Sequence, residues 1–460
     1  MESGEISMAR DLAFLYPELL LAVAVVFMLI AEMLRLPKLA LTIGLVGLAA
    51  STILTLPLLG VETTVFGGTY RVGFLAAWAK LILLPGTAIS LLLARAELAG
   101  QDREGSVYSL ICLVTLGALM LSGVGDMMLL VLGVVLTGLG SFALVAFPRD
   151  DAATEAGMKF LVFGSVTGAI MIYGLTFWFG GAGSTLFSAL GSMEGGVVVM
   201  VAGLIAVIIG LGYKAALVPF HFWVPDAYDG APISIAAYLS VITKIAAMFA
   251  FAQVFRDLPR ETGWPLIIGL IAALTMTFGY LAALVQTNLV RLLAYSSVAQ
   301  SGYFLLGIVA INTSALALPS LILFGAAYVA MNIGAFTIVL GAGRDLDSLA
   351  GFGRRFPMKG VAMVVFLLSL TGIPPLFGFV GKFYLLGAAI EAGFLWLAII
   401  GIVNSVLALG VYLRIIVPMY REPTQDGAAT GPSNLPLTVV LVSTTVITVL
   451  MGAFVGILPV

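Results

Sequence analysis

Apolar stretches of about twenty residues recur along almost the whole chain, and about twenty is what a helix needs to cross a bilayer. Fourteen of them can be read, at 14–33, 39–59, 73–94, 107–123, 127–147, 158–180, 197–220, 231–255, 265–285, 292–311, 316–340, 360–387, 393–417 and 436–457. Hydrocarbon offers no partner to a backbone amide, so apolar spans of this length fold as helices that satisfy their own ladder. With 61% hydrophobic and 10% charged residues, the composition leaves no soluble alternative. The expected fold is an all-α polytopic membrane protein of about 14 transmembrane helices.

The rarer residues exclude several chemistries. One cysteine, Cys112, rules out an intrachain disulfide, a cysteine-ligated iron–sulfur cluster and a structural zinc site. One histidine, His221, rules out a bis-histidine haem. Gly138, Gly140 and Ala143 match a loose GxGxxA, but they lie inside an apolar span with no strand before it, so no dinucleotide site is expected. No basic run favours nucleic acid. The acidic MESGEISMARDL start lacks the basic region of a secretory signal, so the first apolar stretch is expected to stay as a span.

Loop charges give the orientation. Loops after odd-numbered spans carry Arg35, Lys38, Arg95, Arg103, Arg149, Arg291, Arg344, Arg354, Arg355, Lys359, Arg414 and Arg421. The N-terminal tail and the loops after even-numbered spans carry Arg10, Arg71, Arg256 and Arg260. The excess of Lys and Arg marks the cytoplasmic side. Both termini are therefore expected on the outer side.

Against this apolar background stand Lys214, Lys244 and Lys382, each inside a span. A cation near the bilayer centre costs about 2.5–3.5 kcal/mol on the mildest scale, so three cost roughly 8–10 kcal/mol. Such residues face a protein interior or a hydrated cavity and mark ion or proton paths. Two of these spans are also broken by proline, at Pro219 and Pro225 in span 7 and at Pro374 and Pro375 in span 12. The breaks lie five spans apart. An odd offset inverts the topology, so spans 4–8 and 9–13 read as an inverted repeat with interrupted helices near a translocation site. His221 lies seven residues after Lys214, and an unperturbed histidine titrates near neutrality. Desolvation lowers the pKa of an amine in general, so lysines and a histidine joined by water make a plausible proton wire.

The remaining charges read more plainly. Lys80, near the start of span 3, is expected to snorkel to the interface. Glu155 and Lys159 are four apart and suited to pair, with Lys159 a candidate proton uptake point. Asp226 and Asp229, beside glycine and proline, suggest a turn or helix cap. Trp223 and Tyr228 suggest an interfacial aromatic belt.

The stretch KAALVPFHFWVPDAYDGAPISIAAYLSVITK, from Lys214 to Lys244, resembles a signature of the antiporter-like subunits of proton-pumping NADH:quinone oxidoreductase, respiratory complex I. QTNLVRLLAYSSVAQSGY (286–303) and GIPPLFGFVGKFY (372–384) are similar to two further signatures of that family. The resemblance implies fourteen helices, two inverted five-helix repeats and proton-path roles for Lys214, His221, Lys244 and Lys382, and in many members Lys159. It implies flavin, iron–sulfur clusters and quinone on other subunits, with no cofactor in this chain. Implied partners are other membrane-arm subunits, other antiporter-like subunits among them, with the bilayer and protons. The implied place is the bacterial inner membrane. The segments expected are a three-helix start (1–106), two repeats (107–256 and 257–418) and a final helix (419–460).

Three positions depart from the family's pattern. Val135 stands where the family usually has a span 5 glutamate that pairs with the span 7 lysine. Gln300 replaces a histidine, and Val290 replaces a lysine before Arg291. Two other readings stay open. One is a subunit of a multisubunit Na⁺/H⁺ antiporter or membrane-bound hydrogenase, which the PDAYDGAP form disfavours. The other is a non-pumping spacer, suggested by the missing glutamate.

Overall fold

The computed structural model describes residues 2–192, 196–422 and 434–454. Among these, all fourteen expected spans are helical. Spans 1–6 are Tyr16–Met33, Pro37–Thr55, Phe74–Leu98, Glu104–Ser122, Met127–Val145 and Asp151–Ala182. Span 7 is broken into 7a (Gly196–Lys214) and 7b (Trp223–Gly230). Span 8 runs Ile233–Tyr238, through a π-helical turn at Leu239–Thr243, into Lys244–Phe255. Spans 9–11 are Trp264–Leu284, Leu289–Val309 and Ala317–Ala342. Span 12 is broken into 12a (Pro357–Thr371) and 12b (Phe377–Glu391), and spans 13 and 14 are Leu395–Met419 and Leu435–Phe454.

Side-chain caps set several starts. Asp126 accepts from the amides of Met128 and Leu129 at the head of span 5, and Asp150 accepts from Ala153 at the head of span 6. The Asp150 cap starts span 6 a full turn and more before the apolar stretch does, so the helix carries Glu155 and Lys159 out to the end of the bundle. Asn288 caps span 10 through the Arg291 amide. Glu97, from span 3, accepts from the amides of Ile233 and Ser234 at the head of span 8, a carboxylate where the helix dipole favours negative charge.

Spans 8, 10 and 11 are buried almost all round and form the centre of the bundle, while spans 6 and 14 are mostly exposed at its edge. A short antiparallel hairpin, Thr63–Val65 with Tyr70–Val72, links spans 2 and 3. Odd-loop charges gather at one end: Lys159, Arg291 and Arg344 meet Asp226 and Asp229 there. At the opposite end Arg71 pairs with Asp257.

Three expectations need correction. Lys80 does not snorkel; it is fully buried and ion-paired to Glu18 at 2.7 Å. Trp223 and Tyr228 form no interfacial belt; both are buried in the bundle, and Trp223 stacks on Phe160 with ring centres 4.2 Å apart. Asp226 and Asp229 do more than shape a turn. They hold together the cations of spans 6, 10 and 11.

Candidate functional site

Each helix break exposes carbonyls that the α-ladder no longer uses, and neighbouring side chains take them. At the end of 7a, Trp223 donates to the Tyr213 carbonyl at 2.9 Å. The chain reverses through Ala216, in the left-handed region at φ +60°, and the Val218 amide donates to Thr275 of span 9 at 3.1 Å. At the end of 12a, Gln300 donates to the Leu370 carbonyl at 2.9 Å and Lys382 to the Thr371 carbonyl at 3.2 Å. The turn there passes through Gly372 at φ +92°, and a Cβ at that position would sit 3.0 Å from the Lys382 Cδ. Glycine therefore supplies both the left-handed backbone and the room for the lysine stem.

The three mid-span lysines are all buried, and none of them is ion-paired among the described residues. Lys214, 3% exposed, ends 7a with its amine over the rings of Phe142 and Phe160, at 5.8 and 5.9 Å from their centres. It has no hydrogen-bond partner among the described residues. Lys244 follows the π-helical turn, which shifts the register of its helix. Its amine donates to Ser297 of span 10 at 2.6 Å and lies 5.6 Å from the Tyr228 ring centre. Lys382 lies on 12b with its amine 3.9 Å from the Tyr303 ring centre.

Span 10 ties the second and third lysines together. Ser297 receives Lys244. Gln300, one turn on, reaches the 12a terminus that also receives Lys382. Gln300 Nε2 also lies 3.3 Å from the Tyr412 hydroxyl, which is bonded to Ser296. His221 occupies the break between 7a and 7b, buried against Phe278 and Tyr295, and its Nδ1 has no partner in the described structure.

Lys159 belongs to a different setting. It is 44% exposed, paired with Glu155 at 2.7 Å and Asp226 at 3.0 Å, on a charged pocket of about 590 Å³ at the bundle end. Burial pushes the Asp226 carboxyl up, but Lys159 and Arg291 outweigh it and hold it below the usual carboxylate range.

A family model described as "NADH:quinone oxidoreductase/Mrp antiporter, TM" matches residues 124–408. NADH-quinone oxidoreductase subunit N of Rhodospirillum rubrum is 36% identical over 94% of this chain and 92% of its own length. The chain belongs to the subunit N family of NADH-quinone oxidoreductase. A chain of respiratory complex I from Thermus thermophilus, solved with bound aureothin, superposes with a TM-score of 0.85 at 28% identity, covering 96% of this chain and 98% of that one. A chain of the Mrp complex from Dietzia sp. DQ12-45-1b shares the fold, with a TM-score of 0.83 at 20% identity over 96% of this chain and 94% of that one.

For a subunit N relative, the local surroundings of the departures are specific. Val135 and Lys214 line one pocket between spans 5, 6 and 7a. Gln300 fills its position with a donor on a backbone carbonyl and an unpartnered Oε1. Val290 is buried beside Arg291.

The sequence reading missed Glu18, Glu97, Ser297 and the hub role of Asp226. Glu18 and Lys80 did carry a signal: both lie within the first two turns of spans entering from the same side, which puts them at similar depth. Ser297 carried none, because a serine in an apolar span is unremarkable until its neighbour across the bundle is known.

Proposed function

We propose that this chain is a proton-translocating membrane subunit of a complex I-like NADH:quinone oxidoreductase, driven by redox chemistry on other subunits. Flavin, iron–sulfur clusters and quinone belong to those subunits in this reading. The observation that carries it is the set of buried lysines at or beside interrupted helix segments, none held by a carboxylate among the described residues. A fixed counter-charge locks an amine in its charged form; without one, its two protonation states lie closer in free energy.

Lys214, His221, Lys244 and Lys382 are the proposed carriers, with Ser297 and Gln300 bridging the last two lysines. Water completes the path between groups that do not touch. Lys159, half-exposed in the charged pocket, is the proposed uptake point on the cytoplasmic side of a bacterial inner membrane, and both termini lie outside. The 36% identity to a subunit N relative against 20% to the Mrp chain favours the oxidoreductase over the cation antiporter.

The test is proton translocation by the assembled complex in vesicles, measured beside its NADH:quinone rate. Lys214→Met and Lys382→Ala should each leave assembly intact and lower proton translocation by about a hundredfold, the low side of what a positioned acid–base group contributes. Lys214→Arg should fail as well, because arginine stays protonated. Full translocation in an assembled Lys214→Met variant favours the spacer reading.

A further inference from the structure

The pocket at Lys214 opens sideways, on the outer face of the bundle. It measures about 310 Å³ and is lined mainly by apolar groups, including Val135, Gly138, Leu139 and Phe142. Among the described residues, Lys214 supplies the only charge in its wall. A Cβ placed on Gly138 would lie 3.7 Å from the Lys214 amine, so the absence of a side chain there leaves that approach clear. Val135 is 43% exposed on the face of span 5 that also carries exposed Met128, Leu132 and Leu139. The spacing of four, three and four residues makes these one continuous stripe.

Four acids near this site along the chain are already committed. Asp126 holds the amides of Met128 and Leu129, and Asp150 holds that of Ala153. Glu155 and Asp226 hold Lys159 at the bundle end. Two of the hydroxyls on the pocket are also engaged: Tyr213 donates to the Phe160 carbonyl and Thr167 to the Phe163 carbonyl. A buried amine with no acceptor among the described residues therefore faces an apolar pocket that opens outward.

We propose that this pocket is the docking site for a mid-membrane carboxylate carried on a transmembrane helix of a neighbouring subunit, which supplies from outside the chain the acid that Val135 does not. Charge complementarity selects an acid, and depth selects a protein. Val135 and Gly138 are the ninth and twelfth of 19 residues in span 5, so the site lies roughly 10–17 Å from either end of that helix at 1.5 Å per residue. A phospholipid headgroup rests at the edge of a hydrocarbon layer about 30 Å thick and does not reach the centre. An Asp or Glu on an adjacent span does. The contact stands or falls independently of whether Lys214 carries protons.

The test uses the whole complex in its native membrane. A photo-reactive benzoylphenylalanine replaces Val135 or, in a second variant that spares the pocket floor, Leu139. After illumination, mass spectrometry should place the main adduct on a transmembrane peptide of another subunit, within one helical turn of an Asp or Glu. Changing that acid to its amide should weaken retention of this chain in the purified complex by about tenfold or more, the scale of close interfacial charge pairs. Val135→Glu should remove most of that loss by supplying the acid within the chain. Adducts confined to lipid or fatty acid, or to a helix with no acid in reach, overturn the proposal. So does an equal loss of retention with and without Val135→Glu.

Discussion

Lys80 and Lys214 are both buried lysines in apolar spans, yet their surroundings are opposite. Lys80 touches Glu18 at 2.7 Å, and Tyr70 donates to the same carboxylate at 2.7 Å. Lys214 meets two aromatic faces and, among the described residues, no acceptor. The first arrangement welds span 1, span 3 and the hairpin into one unit and gives its lysine a fixed counter-charge. The second leaves the charge unfixed. Burial alone does not distinguish a structural cation from a candidate proton site; a counter-charge fixed within the same chain does.

The largest expected effect breaks the paired side. Glu18→Gln leaves a buried cation without its acid, which should cost about 3–5 kcal/mol. The checks are yield of assembled complex and thermal unfolding in detergent. Glu18→Leu combined with Lys80→Met should recover most of that loss, since replacing both partners is often neutral, and should leave proton translocation unchanged. Loss of translocation in a stable double variant would erase the contrast with Lys214.

A second comparison sets the two breaks side by side. Lys214 ends the helix before its break, whereas Lys382 lies beyond its own and reaches back to the Thr371 carbonyl across Gly372. Gly372→Ala should cost about 1–3 kcal/mol, from the left-handed backbone and the crowded Lys382 stem together. Gly393→Ala, at φ +85° with open space around it, isolates the backbone share and should cost less. Equal losses in the two variants would mean that the lysine stem contributes nothing.

The smallest effect belongs to the exposed end. Asp226→Asn removes partners from Lys159 and Arg291, but partly exposed pairs contribute only about 0–1 kcal/mol. Because Asp226 is held below the usual carboxylate range, the folded state gains from its charge above that range. The gain is lost as pH falls through the lowered value. The variant should therefore unfold at nearly the parent's temperature at pH 7, and the small difference should vanish in acid. A difference that persists at low pH would assign it to packing.

Much of the fold was legible because length and hydrophobicity act locally. Each span is required by its own twenty residues, and both breaks are announced by prolines, which remove a donor from the helical ladder, although span 3 accommodates Pro85 in its interior. Lys214, Lys244 and Lys382 stood out for the same reason, as charges where the solvent is hydrocarbon. Fates of individual charges were less legible. Lys80 reads as a snorkelling side chain until Glu18, 62 positions earlier, is set against it. Asp226 reads as a turn residue until Lys159 of span 6 and Arg291 of span 10 converge on it.

The sequence by itself determined the fourteen helices, the places where two of them break, and which residues carry charge into the membrane. Those outcomes depend on contacts within a few residues and on the cost of exposing polar groups to lipid. Only the tertiary structure decided which lysine meets a carboxylate, which meets a serine or a carbonyl, and which meets neither. Those pairings join residues tens of positions apart, and in a medium with no water to substitute, packing between helices alone sets who is neighbour to whom.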